Sequence, residues 1–201
     1  IKGDVTVRAI ELLQTGGNIG ILFEDFSGET LERFIQKGSC SVEIGLEVAL
    51  QLAEKLGKIH ESGIVHKDIS PANILWDPSG KSLRVIDFGI SSFLSQEQQL
   101  PYEAGKMDGT LAFMSPEQTG RMNRVLDYRT DFYSLGMTLY YLFTGKLPCS
   151  SREPLEVIHF HLARSLEDAT VIRPDLPRAI AEIIQKLVAK SADDRYQSAY
   201  G

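Results

Sequence analysis

The chain has 201 residues, of which 43% are hydrophobic, and it carries 21 Lys and Arg against 27 Asp and Glu. A chain of this length and composition can bury a sizeable apolar core without disulfides or structural metals. The net charge of −6 argues against a general nucleic-acid binder, because such proteins gain affinity from a surplus of basic residues.

A β-hairpin is predicted at the start of the chain. Two β-rich runs, 5–13 and 19–26, flank the turn-forming residues 15–18, which read Thr-Gly-Gly-Asn. Glycines of this kind bind phosphate when a helix follows them, but here the next residues form a second strand. We therefore interpret them as a turn. Beyond the hairpin, Ser27 and Gly28 form a short linker and residues 29–35 are predicted to be a short helix.

A long amphipathic helix is predicted next. Ser41 and Glu43 have the spacing of a helix-capping start, and Gly63 follows the end of the pattern. One stripe of apolar residues recurs at three- and four-residue steps. Its members are Leu46, Ala49, Leu52, Ala53, Leu56 and Ile59. The pattern predicts that this stripe faces a core.

The rest of the chain alternates between short strands, one long irregular segment and helices. Short apolar runs that predict strands lie at 64–66, 74–76 and 83–86, a polar irregular segment covers 89–117, and helices are predicted at 132–143, 155–166 and 178–189. Irregular segments of this length in compact domains are usually functional or mobile. The apolar residues of 132–143 continue around the whole helix, which predicts burial.

The cysteines and the hydropathy of the chain indicate its expected cellular location. Cys40 and Cys149 lie far apart without metal-ligand spacing, which favours a reducing, cytoplasmic location. No apolar run is long enough to form a transmembrane segment. Because the first residue is Ile1 rather than Met, we expect the chain to be part of a longer protein.

Three polar residues between apolar runs carry the chemistry. Asn73 follows Asp68 by five positions, and Asp87 follows Asn73 by fourteen. A carboxylate and an amide oxygen held by neighbouring strands form the hard-oxygen site that Mg²⁺ prefers. A second carboxylate nearby can orient a hydroxyl nucleophile. These are the requirements of phosphoryl transfer, which depends on positioning and charge neutralisation.

Six motifs in family order resemble eukaryotic-type protein kinases. They are the catalytic loop at 66–73 (HKDISPAN), the metal-binding triplet at 87–89 (DFG), a Gly-Thr pair at 109–110, Ser-Pro-Glu at 115–117, the buried-helix signature at 131–136 (DFYSLG) and Arg195. The resemblance covers essentially the whole chain. It implies a protein-kinase-like α+β fold and pairing of Arg195 with Glu117.

The same resemblance implies a division into lobes. Residues 1–26 correspond to the end of the small N-lobe and its hinge strand, of which a β hairpin remains. Residues 27–201 correspond to the mostly helical C-lobe, with the activation segment at 87–117. Nothing before the hairpin supplies a Gly-rich loop or a strand lysine. We therefore expect little catalysis from this chain alone.

Roles for individual residues also follow from the resemblance. Asp68 is expected to accept the proton of the substrate hydroxyl, and Asn73 and Asp87 are expected to hold Mg²⁺ on the phosphates of ATP. Thr110 corresponds to the threonine that contacts the catalytic aspartate, and its context favours Ser/Thr over Tyr acceptors. His66 is expected to be a packed core histidine.

The expected ATP-binding residues on the adenine side lie mainly in the hinge strand. Phe23 corresponds to the gatekeeper, and backbone groups near Glu24 and Phe26 are expected to meet the adenine edge. Leu75 is expected to form the apolar floor of the site.

A narrower resemblance is carried by residues 109–124 and 127–131. They are similar to the kinase domain at the head of large bacterial multi-sensor proteins, which also carry an ATPase module, a GAF sensor and often a histidine kinase. This resemblance implies signal transduction, with other domains of the same protein as partners and a protein carrying a Ser/Thr acceptor as substrate.

Three positions depart from the family pattern. Ser70 replaces the catalytic-loop lysine, Lys67 replaces the arginine before the catalytic aspartate, and Lys106 stands where a phosphothreonine is common. A hydroxyl cannot supply the charge of the missing lysine. An active Ser/Thr protein kinase and a pseudokinase that binds nucleotide or partners therefore both remain open. A kinase of small molecules is a third possibility, against which the motifs at 109–110, 115–117 and 131–136 argue.

Overall fold

The computed structural model describes residues 4–16, 18–38, 40–94, 110–121 and 126–201. Within these ranges the strands are β1 (Ala9–Thr15), β2 (Asn18–Phe23), β3 (Glu29–Thr30), β4 (Ile64–Val65), β5 (Ile74–Asp77), β6 (Ser82–Val85) and β7 (Ser92–Phe93). The α-helices are α1 (Leu31–Gln36), α2 (Val42–Glu61), α3 (Arg129–Thr144), α4 (Pro154–Ala163), α5 (Ala169–Ile172) and α6 (Arg178–Leu187).

The predicted hairpin is confirmed, with shifted strand ends. β1 and β2 pair in antiparallel fashion, and Thr15 lies opposite Asn18 across the turn. Gly17 of this turn lies outside the described residues. The first strand begins at Ala9 rather than at residue 5, because Val5 is engaged elsewhere: its carbonyl oxygen accepts the amide of Val85, at 2.8 Å.

A three-stranded antiparallel sheet in the order β3-β5-β6 carries the segment that follows the hairpin. Glu29 and Thr30 pair with Trp76 and Leu75, so the prediction of helix from residue 29 is wrong by two positions. Helix α1 begins after Thr30, whose side chain accepts the amide of Arg33 and caps the helix.

Helix α2 begins as predicted and buries a face slightly different from the predicted one. The Ser41 side chain accepts the amide of Ile44, which satisfies one free N–H of the first turn. Leu52 and Leu56 of the predicted stripe are fully buried, but Leu46 is 39% exposed. Lys55, which periodicity alone would place in water, is only 3% exposed because it forms an ion pair with Asp4.

Helix α3 forms the centre of the core, as its continuous apolar pattern predicts. Residues 130–143 are all buried, and the helix contacts α2, α5 and α6. The approach of α6 depends on Gly136, where a Cβ would lie 2.7 Å from the Cβ of Leu187. Any larger residue would push the two helices apart.

The architecture is therefore α+β, with small sheets and a larger helical part, as predicted. In the part of the chain that the structure describes, no helix has both the length and the apolar character required to cross a bilayer.

Candidate active site

A buried carboxylate holds the loop that links β4 to β5. Asp131, in the first turn of α3, is fully buried and accepts the backbone amides of His66, at 2.9 Å, and Lys67, at 2.7 Å. The ring of His60 contacts the same carboxylate at 2.9 Å. These donors satisfy the buried charge and hold Lys67 at a φ of 69°, a left-handed conformation that costs about 1–3 kcal/mol.

Asp68 and Asn73 lie together at the end of this loop. The amide nitrogen of Asn73 donates to the Asp68 carboxylate oxygen Oδ2, at 2.8 Å, and to the Asp68 backbone carbonyl, at 2.9 Å. The other carboxylate oxygen, Oδ1, is buried and has no hydrogen-bond partner among the described residues. One acceptor oxygen of Asp68 is thus left for a donor that comes from outside.

The environment of Asp68 makes it a better proton acceptor than an ordinary aspartate. Burial raises the pKa of Asp68 to about 6, the hydrogen bond from Asn73 opposes this rise, and the negative charge of Asp87 adds to it. A carboxylate whose pKa lies closer to neutral pH is more effective in general base catalysis.

Asp87 follows β6 and is held against the catalytic loop through its neighbour. The amide of Ile86 donates to the Asn73 carbonyl, at 2.9 Å, and the Ile86 carbonyl contacts His66 Nε2, at 3.1 Å. Asp87 has a φ of 62°, and its carboxylate accepts the Gly89 amide, at 3.1 Å. The predicted packing role of His66 is confirmed, because its fully buried ring also lies 4.7 Å from that of Phe88.

The donors at this point fit a magnesium ion. Both N–H groups of Asn73 are used toward Asp68, which leaves the side-chain carbonyl oxygen of Asn73 as a ligand. Asp87 is exposed just beyond β6, and Asn73 lies just before β5, so the two residues are at the same end of this antiparallel pair. One carboxylate and one amide oxygen, with space for water and phosphate, are the few hard ligands that Mg²⁺ takes from proteins.

Of the residues predicted for adenine, Phe26 and Leu75 lie at the β5-β6 pair, whereas Phe23 and Glu24 contact the start of β1. The Glu24 amide donates to the Arg8 carbonyl, at 2.9 Å, and the Arg8 amide donates to the Glu24 side chain, at 3.0 Å. The Phe26 ring lies 5.4 Å from the Arg84 guanidinium, and Arg84 is the strand partner of Leu75. Phe23, the expected gatekeeper, is 48% exposed at the end of β2.

Gly28 brings the expected hinge segment close to β5. A Cβ at Gly28 would lie 2.3 Å from the Phe26 ring and 2.6 Å from the carbonyl oxygen of Trp76. Only glycine allows this approach.

The expected activation segment, 87–117, is described only in part. Lys106, Gly109 and the side chain of Thr110 lie outside the described residues, so the expected contact between Thr110 and Asp68 stays a prediction. The described end of the segment touches the catalytic loop, because the Gln118 side-chain amide donates to the Lys67 carbonyl, at 2.7 Å. Gln118 therefore helps to hold the backbone of the catalytic loop at Lys67.

The expected pairing of Glu117 with Arg195 is present. The guanidinium makes two hydrogen bonds to the carboxylate, at 2.6 and 2.9 Å, and the Arg195 side chain is fully buried. Arg195 also donates to the carbonyls of Arg129 and Ala189. This two-fold contact fixes the end of the activation segment to the helical core.

Ser70, the residue that replaces the family lysine, is nearly inaccessible. It is 2% exposed, and its hydroxyl has no hydrogen-bond partner among the residues described. The position therefore contributes neither positive charge nor an exposed hydroxyl to the surface of the site.

Three residues of this region were not identified from the sequence. His60 and Gln118 hold the catalytic loop, and His161 is a fully buried histidine of α4 whose Nε2 lies 2.8 Å from the Leu111 carbonyl. A histidine on the apolar face of an amphipathic helix was the only available signal for His60 and His161. No local pattern marks Gln118, since its partner is distant in the sequence.

Comparison with known proteins agrees with this geometry. The family model described as protein kinase domain matches residues 2–199. A probable serine/threonine-protein kinase of Clostridium perfringens is 33% identical over 180 residues, which cover 89% of this chain and 26% of that protein.

Two further relatives are similar in the same way. A probable serine/threonine-protein kinase of Clostridium acetobutylicum is 32% identical, with 91% of this chain and 27% of the relative covered. The serine/threonine-protein kinase PknB of Mycobacterium tuberculosis is 29% identical, with 89% and 28% covered. The chain thus spans about a quarter of the length of these relatives. With its family model matched along nearly the whole chain, this protein belongs to the protein kinase domain family.

Proposed function

We propose that this chain transfers the γ-phosphoryl group of ATP to serine or threonine residues of a protein. The observation that carries the proposal is the arrangement of Asp68, Asn73 and Asp87 at one end of the β5-β6 pair. Asp68 has a buried carboxylate oxygen without a partner among the described residues, next to the amide of Asn73 and under the influence of the charge of Asp87.

In this mechanism Asp68 handles the proton. Its free oxygen accepts the hydrogen of the acceptor hydroxyl, while the hydroxyl oxygen bonds to the γ-phosphorus and the bond from phosphorus to the bridging oxygen of ADP breaks. Asn73 holds the other carboxylate oxygen and so fixes the direction in which Asp68 faces. The left-handed backbone at Lys67, stabilised by Asp131, keeps Asp68 turned toward the acceptor.

Asn73 and Asp87 are the residues that would hold the metal. Bound Mg²⁺ supplies charge neutralisation on the phosphate oxygens. We propose that the side-chain carbonyl of Asn73 and the carboxylate of Asp87 would be its protein ligands, since the two residues lie at the same end of the β5-β6 pair. For the base, we propose that the Glu24 carbonyl and the Phe26 amide meet the adenine edge, with Phe23 as gatekeeper and Leu75 beneath.

We further propose that the domain works within a signalling protein. The sequence of residues 109–124 is similar to that of kinase domains in bacterial multi-sensor proteins, which supports other domains of the same protein as partners. ATP and Mg²⁺ are cytoplasmic reagents, so we place the reaction in the cytoplasm. The lobes divide near residue 26, with the activation segment at 87–117.

The test is transfer of labelled γ-phosphate from Mg·ATP to a generic Ser/Thr protein. It uses the chain together with any residues that precede Ile1 in the native protein. We expect Asp68→Asn to lower the rate by about 10²–10⁴-fold, the usual contribution of a positioned base, while ATP affinity stays within about twofold. Asp77→Asn is the matched control. Asp77 is the last residue of β5, at the end opposite Asn73, and forms a turn with Ser79, so this variant should transfer phosphate at the wild-type rate.

The alternative of a pseudokinase is supported by Ser70, which supplies no charge in place of the family lysine. If the wild type and Asp68→Asn are equally inactive while both bind ATP, the transfer proposal fails and the pseudokinase takes its place.

A further inference from the structure

A series of hydrogen-bonded side chains runs from the half-buried Lys190, which follows α6, to the backbone of residue 111. Lys190 Nζ lies 3.3 Å from the Tyr133 hydroxyl, and this hydroxyl lies 3.0 Å from His161 Nδ1. His161 Nε2 in turn lies 2.8 Å from the carbonyl oxygen of Leu111. Tyr133 and His161 are both fully buried, so water does not compete for these contacts.

The direction of each hydrogen bond follows from the chemistry of its ends. The Leu111 carbonyl can only accept, so the proton of the imidazole must be on Nε2. Burial lowers the pKa of His161 to about 4, so its ring is neutral at pH 7; Nδ1 is then an acceptor, and the Tyr133 hydroxyl donates to it. The same hydroxyl oxygen accepts from the Lys190 ammonium. One tautomer of a neutral His161 satisfies the whole series, in which each bond polarises the next.

These hydrogen bonds end at the Leu111 carbonyl, in the segment 110–117, which we call the docking segment. Leu111 directly follows Thr110, and its carbonyl also accepts the amide of Met114, at 3.3 Å, in a short helical turn. The other end of the segment is held by the pairing of Glu117 with Arg195. The Arg195 guanidinium lies 5.0 Å from the Tyr133 ring, so both anchors meet at Tyr133.

We propose that His161, oriented by Tyr133, is a positioning residue that fixes the docking segment for the protein acceptor. The inference rests on the proposed function, because it assigns acceptor docking to residues 110–117. A positioning role predicts a selective effect on kinetics, whereas a purely structural role does not. Loss of the His161 contact should raise the KM of the acceptor. The KM of ATP should not change, because the expected ATP-binding residues lie in the hinge and β5 and make none of these hydrogen bonds.

The experiment compares steady-state kinetics of three histidine variants in the native protein. We expect His161→Leu to raise the acceptor KM by about threefold to tenfold, the value of one net hydrogen bond, with ATP KM within about twofold. His161→Gln should restore the acceptor KM, because its amide nitrogen can donate to the Leu111 carbonyl where Nε2 does. His159→Leu, at an exposed position of the same helix, should match the wild type.

Two further measurements keep the result interpretable. Tyr133→Phe removes only the hydroxyl and should change the acceptor KM in the same direction as His161→Leu, even if the latter folds poorly. Amide hydrogen exchange at Met114 should be faster in His161→Leu than in wild type or His159→Leu, independently of activity.

The proposed role of His161 is wrong if His161→Leu and Tyr133→Phe keep the wild-type acceptor KM, or if the KM values of ATP and acceptor rise together. A wild type that shows protected Met114 but transfers no phosphate overturns the proposed function alone. A working kinase in which His161→Leu leaves Met114 exchange and acceptor KM unchanged overturns the proposed role of His161 alone.

Discussion

The Ser70 hydroxyl is a buried polar group without a hydrogen-bond partner in the described part of the chain, at a position where most Ser/Thr kinases place a lysine. A buried hydroxyl that makes no bond contributes nothing favourable to folding. We therefore expect Ser70→Ala to leave the free energy of unfolding unchanged or to raise it by up to about 1 kcal/mol. Urea denaturation measures this change. Destabilisation by more than about 1 kcal/mol would contradict the account of this position.

For individual residues, the sequence indicates which side chains are candidates for the site, but it does not indicate the environment of each side chain. A single Asp or Asn in a loop is more often a turn or cap residue, and Asp68, Asn73 and Asp87 stand out in the sequence because they lie at the spacing of protein-kinase motifs. The left-handed backbone of Lys67 and the raised pKa of Asp68 depend on Asp131 and on burial. These depend on contacts between residues far apart in the sequence, which local patterns do not encode.

Among the elements, the docking segment is attached to the core by a buried ion pair. Removal of one partner leaves a charge in a low-dielectric environment, which costs about 3–5 kcal/mol. We expect Glu117→Ala to destabilise the protein by that amount, measured by urea denaturation. Replacement of both partners, Glu117→Leu with Arg195→Met, should recover part of the loss because no unpaired charge remains. A double variant less stable than Glu117→Ala would contradict this explanation.

Helix positions were predicted well from periodicity, and their buried faces less well. The cap at Ser41 and the burial of 130–143 agree with the sequence. The short strand at Glu29 and Thr30 was missed because it pairs with β5, more than forty residues away. The burial of Lys55 was missed because it depends on an ion pair with Asp4, which lies outside the helix and so outside its periodic pattern.

For the molecule as a whole, the Asp4–Lys55 pair links the start of the chain to the helical part. Lys55 Nζ donates to the Asp4 carboxylate, at 2.8 Å, and to the Asp4 carbonyl, at 3.0 Å. The hydrogen bond from Lys55 lowers the pKa of Asp4 to about 2. Because the folded pKa lies below that of the unfolded chain, near 4, the pair stabilises the fold at higher pH.

We expect Asp4→Asn to lower the free energy of unfolding at pH 7 by about 1 kcal/mol, a modest value because the Asp4 side chain is 57% exposed. The difference from wild type should shrink as the pH falls from about 4 to about 2, where Asp4 becomes protonated in the folded state. Chemical denaturation across this pH range measures it. A difference that persists at pH 2 would show that the charge of Asp4 is not responsible.

The central proposal for the whole molecule is that Asp68, Asn73 and Asp87 act as one phosphoryl-transfer centre. The most direct measurement is the rate of γ-phosphate transfer against Mg²⁺ concentration, in wild type and in Asp87→Asn. We predict that wild-type transfer requires Mg²⁺ and that Asp87→Asn loses about 10²-fold or more at every concentration. Transfer that is independent of Mg²⁺, or that Asp87→Asn retains in full, would contradict the account.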